Sequence, residues 1–175
     1  MIKIKTPLKD LYIFQGKKFS DNRGFLREVF HKKQIKKNLI FSIVTKSKKN
    51  TLRGLHLQKR KTQDKFITVI KGEILDVVVD LRKNSPTFGK HFKIILSEQN
   101  CKFLFIPKGF AHGFLAKKKE NIVLYSCSNY RYPDGERSIR YDDKDIRIKW
   151  GIKKPILSVK DKNALSLKEY IKKNK

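Results

Sequence analysis

The stretch LRGLHLQ (52–58) alternates in character: Leu55 and Leu57 share one side of an extended chain, and Gly54, His56 and Gln58 share the other. Successive side chains of a strand point to opposite faces, so the pattern predicts a strand with one apolar and one polar face. Short β-branched and aromatic runs continue from there to about Trp150, in KFITVIKGEILDVVVDLR (65–82), HFKIILS (91–97), KFLFIP (102–107) and NIVLYSCSNY (121–130). Lys71-Gly72 reads as a turn between two such runs. KNSPTFGK (83–90) and PKGFAHGF (107–114) supply Pro and Gly turn chemistry. Residues 1–30 read as short extended pieces broken at Gly16 and at Asp21-Asn22-Arg23-Gly24. Helix is expected only over 31–38 and in the tail, ALSLKEYIKKNK (164–175). Many short strands, with no βαβ alternation and no GxGxxG, predict an all-β sandwich or jelly roll and argue against a dinucleotide fold.

Size and composition sharpen this picture. A chain of 175 residues, 39% hydrophobic with 12 Phe and 6 Tyr, suits one domain spanning 1–175 with a real core. No apolar run reaches the length of a membrane-crossing helix, and MIKIKTPLKD lacks the apolar stretch of a signal peptide. A soluble cytoplasmic protein is expected, without a membrane partner. Cys101 and Cys127 have no CxxC or zinc spacing and read as buried thiols of a reducing compartment.

The formal charge is +27, from 43 Lys and Arg against 16 Asp and Glu. Such a charge raises the question of nucleic acid. However, the basic pairs recur along the whole chain, from Lys17-Lys18 to Lys153-Lys154, mainly between strand-like runs. They read as a lysine coat over loops, with a field that suits a small anionic substrate.

Four histidines are present. His31 sits in a charged segment and is expected at the surface, and His91 opens a strand and is taken as structural or exposed. His56 and His112 each lie among glycines in apolar stretches, where a backbone or ligand can approach closely. One histidine in a strand is more often a hydrogen-bonded core residue than a catalyst. Tyr125 changes the balance, because it shares a face with Val123 and Cys127 and could form an acid–base couple with a histidine across a cavity. Without HxH or HxxxH spacing, no metal centre is expected. Asp76 and Asp80 lie on the face of Val78, where they could pair with Arg82 or with the bases, at least one being structural.

Seven segments in order resemble the dTDP-4-dehydrorhamnose 3,5-epimerase family: DNRGFLREVF (21–30), LRGLHLQ (52–58), QDKFITVIKGEILDVVVDLRKNSPTFGK (63–90), LSEQN (96–100), IPKGFAHGFL (106–115), LYSCSNYRYPDGE (124–136) and ILSVKD (156–161). The resemblance implies a cupin-like jelly roll, a double-stranded β-helix, with a short C-terminal helical piece. It implies inversion of the carbons flanking a C4 ketone on a dTDP-linked sugar, with no redox cofactor, in a homodimer whose N-terminal segment reaches the neighbour's site.

By the same resemblance His56 is the base, and an imidazole pKa near ~6.5 suits that task. Asp161 orients its ring, Tyr125 is the acid on the opposite face, and Lys65 steadies the enolate. His112 lines the pocket, while Arg23, Glu28, Arg53, Glu136 and Lys160 contact substrate. Arg53 falls on the Leu55 face of a regular strand, so a bulge at Gly54 is needed to turn it inward. Two departures stand out. Ile43-Val44-Thr45 replaces a Q-x-N stretch, and Arg131 replaces a tyrosine that stacks on the base. A guanidinium can also stack or bind phosphate. The alternatives are an epimerase acting at C3 or C5 alone on another nucleotide sugar, a sugar 3,4-ketoisomerase, and a non-enzymatic nucleic-acid-binding module.

Overall fold

The computed structural model describes residues 1–174. In chain order the strands are β1 (Ile2–Lys5), β2 (Tyr12–Gln15), β3 (Phe19–Asp21), β4 (Gly24–Leu26), β5 (Phe41–Lys48), β6 (Leu52–Gln58), β7 (Lys65–Lys71), β8 (Glu73–Asp80), β9 (His91–Ser97), β10 (Lys102–Ile106), β11 (Phe110–Ala116), β12 (Glu120–Cys127) and β13 (Glu136–Ser138). Three short helices, α1 (Lys32–Ile35), α2 (Val159–Lys162) and α3 (Leu167–Lys172), lie between and after them.

One six-stranded sheet has the order β1-β2-β10-β7-β12-β5, and a five-stranded sheet has the order β13-β6-β11-β8-β9. From β5 to β13 the chain changes sheet at every step except β8 to β9, which is the winding of a jelly roll. Lys71-Gly72 is therefore not a hairpin turn. It carries the chain from β7 in one sheet to β8 in the other. Gly72 is required there, since its φ is +83° and a Cβ would lie 2.2 Å from the Glu120 carbonyl.

Apolar side chains of both sheets meet in the middle, including Ile67, Val69, Val78, Leu104, Phe114 and Val123. The outer face of the five-stranded sheet is also covered, by Ile139, Ile146, Ile148, Trp150, Leu167 and Tyr170. Every residue of β11 is consequently buried, which is why apolar residues occupy both faces of that strand rather than alternating with polar ones. A third cluster, with Phe66 stacked on Phe103 at 5.1 Å, covers the outer face of the six-stranded sheet.

Three expectations need correction. The helix expected over 31–38 shrinks to α1: His31 gives no side-chain cap, the first turn has no acid, and Lys36 turns left-handed at φ 52°. The strand pattern does not run on to Trp150. After β13 the chain is irregular, tied by the buried Asp143 carboxylate to the amides of Asp145, Ile146 and Leu167. The tail helix is the shorter α3, started by a capping box of Ser166 and Glu169; Lys175 lies outside the described residues.

Candidate active site

β6 is bulged where it faces β11. His56 pairs with His112, but Arg53 pairs with Phe114, so Gly54 and Leu55 together oppose Gly113. Gly54 has φ +108°, and a Cβ there would sit 2.5 Å from the Gly113 Cα. The extra residue re-aims the strand. Leu52, Leu55 and Leu57 join the outer core, while Arg53, His56 and Gln58 line a cavity of about 650 Å³ between the sheets.

The His56 Nε2 lies 2.5 Å from Asp161 Oδ1, in the first turn of α2. Ser158 caps that helix, and its hydroxyl donates to Asp161 Oδ2 at 2.8 Å. Burial pushes the Asp161 carboxyl up, but His56, Ser158 and the Gly54 amide hold it below the usual range. It is therefore an anion aimed at one ring nitrogen, Nε2, and Nδ1 is left out of that contact.

Across the cavity, β12 supplies Tyr125 from the opposite sheet. Burial, then the Asp76 charge, raise the phenol pKa far above its ordinary value, while Thr45 and Arg53 act against them. A group so placed stays protonated. His112 packs edge-on to the Tyr125 ring at 5.9 Å, with its Nε2 2.8 Å from the fully buried Asp76. Asp80 pairs instead with Arg82, Ser85 and Thr87 on the far side and is structural.

Lys65 is half-buried at the start of β7, and its ammonium forms no hydrogen bond or ion pair among the described residues. Burial lowers its pKa, opposed by Cys127, Glu136 and Asp76. Arg53 is held by the Ser47 hydroxyl at 3.0 Å and the Lys46 carbonyl at 3.2 Å. At the mouth, Glu136 binds Arg131 at 2.7 Å and also Lys160. Burial opposes its ionisation, but these two cations hold the Glu136 carboxyl down at about 2.

Arg23 and Glu28 do not reach this cavity within one chain. Arg23 sits at the exposed β3–β4 turn, bonded to Asp21, and Glu28 is exposed just beyond β4. His31, expected at the surface, is half-buried with Nδ1 sealed from solvent. Sequence reasoning passed over Ser47, Ser158 and Cys127 as lining or supporting groups. Only Ser158 carried a readable signal, the Ser-x-x-Asp spacing of a helix cap. A larger groove of about 1130 Å³, lined by Lys46, Lys71, Lys118, Lys119, Glu98 and Glu120, holds no imidazole or phenol.

A jelly roll that sets a carboxylate-bound imidazole and a buried phenol on opposite walls of one cavity has the groups a proton-shuttling isomerase needs. Residues 5–169 match the family described as dTDP-4-dehydrorhamnose 3,5-epimerase, and the chain belongs to that family. It is 43% identical over 173 residues to the dTDP-4-dehydrorhamnose 3,5-epimerase of Salmonella typhimurium, covering 94% of each chain. Its structure is similar to that of a Legionella pneumophila dTDP-6-deoxy-D-glucose-3,5-epimerase in complex with dTDP-4-keto-L-rhamnose. There the TM-score is 0.92 and the identity 38%, over 95% of this chain and 93% of the other. A 3′-monoepimerase of Streptomyces bikiniensis in complex with dTDP-quinovose also superposes, with TM-score 0.91 and 26% identity, over 97% and 89% of the two chains. No helix among the described residues is long and apolar enough to cross a membrane.

Proposed function

We propose that the chain epimerises dTDP-4-dehydro-6-deoxy-D-glucose at C3 and C5, giving dTDP-4-dehydro-L-rhamnose. One observation carries the reading: the His56–Asp161 couple and Tyr125 enter one cavity from opposing sheets. His56 Nδ1 takes the proton beside the C4 ketone, and the C–H pair moves into the enolate. Lys65 and His112 steady the enolate oxygen. Tyr125 delivers its proton to the opposite face, the carbonyl re-forms, and the centre is inverted. A positioned acid or base of this kind contributes about 10²–10⁴ in rate. Arg53, Arg131 and Lys160 meet the diphosphate and base, with Glu136 keeping the last two in place.

The reading includes a homodimer. The β3–β4 hairpin leaves Phe19, Phe25 and Leu26 exposed, and a partner would cover them while bringing Arg23 and Glu28 to its site. It also includes a cytoplasmic location, in keeping with two buried free cysteines. Incubation with the substrate and NMR of the product tests it: inverted couplings at both C3 and C5 are expected, and unchanged substrate would refute the reading. A second reading, inversion at one carbon only, is favoured by Ile43 and Thr45 lining the cavity; a product inverted at one centre would select it.

A further inference from the structure

Edge strand β5 pairs only with β12, with Ile43 opposite Tyr125 and Thr45 opposite Val123. Ile43, Thr45 and Ser47 therefore point the same way as Tyr125. Ser47 is accounted for by Arg53, and Ile43 is 39% exposed at the cavity rim. Thr45 is different. It lines the cavity, its hydroxyl oxygen is sealed from solvent and makes no well-aligned hydrogen bond, yet it stands near enough to the Tyr125 phenol to act on its ionisation. A buried unpaired hydroxyl is costly, and such groups repay inspection as functional ones. Its diagonal cross-strand neighbour is Tyr125, a distance that an aromatic side chain spans.

We propose that Thr45 is a positioning residue for Tyr125, its hydroxyl serving as the hydrogen-bond partner of the phenol during proton delivery. This rests on the epimerase reading of the same cavity. When the phenol O–H bond breaks, its proton joins the enolate carbon and the electron pair stays on the phenolic oxygen. The Thr45 O–H then donates to that phenolate, whose formation burial opposes. Asp76, whose charge acts on Tyr125, makes the extra donor more valuable. Val123 and Ile43 can supply no such bond.

The test uses Thr45→Val, which keeps the shape and removes the hydroxyl, and Thr45→Ser, which keeps the hydroxyl. Proton abstraction by His56 does not involve Thr45, so Thr45→Val should still wash solvent deuterium into the substrate within about threefold of wild type. Its kcat for inversion should fall about ten- to a hundredfold, the loss expected for one hydrogen bond to a charged group, with KM nearly unchanged. Thr45→Ser should restore kcat to within about threefold. Tyrosine labelled with ¹³C at Cζ gives a readout free of activity. The Tyr125 line, assigned by its absence in Tyr125→Phe, should move in Thr45→Val and return in Thr45→Ser. A wild-type kcat in Thr45→Val, a rise in KM alone, or an equal loss of exchange and inversion would overturn the proposal. Should wild type invert neither carbon, the epimerase reading fails, and an unmoved Tyr125 line would separately overturn the Thr45 bond.

Discussion

Replacing Asp161 by Asn removes a charge while keeping the shape that Ser158 and the α2 cap hold in place. The carboxylate is 4% exposed and meets His56 Nε2 at 2.5 Å, so the bond strengthens as the ring becomes imidazolium. A hydrogen bond between charged groups in such a setting contributes about 1.5–3 kcal/mol. Loss of that stabilisation alone slows the step about 10- to 150-fold. An asparagine can also turn its amide N–H toward the ring and favour the wrong tautomer, a change that costs about 10⁴ in the serine-protease triad. The expected kcat for Asp161→Asn is therefore about 10²–10⁴ below wild type, with KM within about threefold. Steady-state kinetics with NMR detection, beside circular dichroism to verify folding, would measure it. A folded Asp161→Asn with kcat within threefold of wild type would refute the reasoning.

Asp80 has a folded pKa of about 2 against an ordinary 3.8: burial raises it, but Arg82, Ser85, Thr87 and the Arg82 amide together lower it further. Its depressed value contributes roughly 2 kcal/mol of stability above about pH 4 that is lost as pH falls through about 2. Asp80→Asn should lower Tm clearly at pH 7 and much less near pH 2; an equal loss at both would contradict this. Gly54→Ala places a Cβ 2.5 Å from the Gly113 Cα at φ +108° and should cost about 2–4 kcal/mol in chemical denaturation, whereas a loss under 0.5 kcal/mol would mean that the β6 bulge relaxes freely. Arg131→Ala, at the exposed cavity mouth beside Glu136, should raise KM for the nucleotide sugar about tenfold and weaken its salt dependence while sparing kcat; an unchanged KM would remove Arg131 from substrate binding.

Local alternation carried the strands well, since period-2 burial is a property of each segment by itself. It could not say which strands pair. β11 lies between β6 and β8, a choice made by distant sequence and by the covering chain around Trp150. The same blindness left open whether the Lys71-Gly72 turn joined neighbouring strands or crossed between sheets, and it overlooked β13, only three residues long. Arg53 shows local and tertiary information meeting. Its inward turn needed a bulge at Gly54, and the close approach of Gly113 shows why only glycine fits there. Within the cavity, His56, His112, Tyr125 and Lys65 were legible as unusual polar groups in apolar strands or through the family's motifs. The Asp161 and Asp76 partnerships were harder to read, because 105 residues separate His56 from Asp161 and 36 separate His112 from Asp76. Arg23 and Glu28 stand outside the cavity of one chain, where the resemblance had implied a role across subunits.

Deuterium exchange tests the central claim most directly. The protein is incubated in D₂O with dTDP-4-dehydro-6-deoxy-D-glucose while the C3–H and C5–H signals are followed by NMR, with His56→Ala as control. The account predicts loss of both signals with wild type and retention of both with His56→Ala. Retention of both signals with wild type, or equal exchange in the variant, would contradict it.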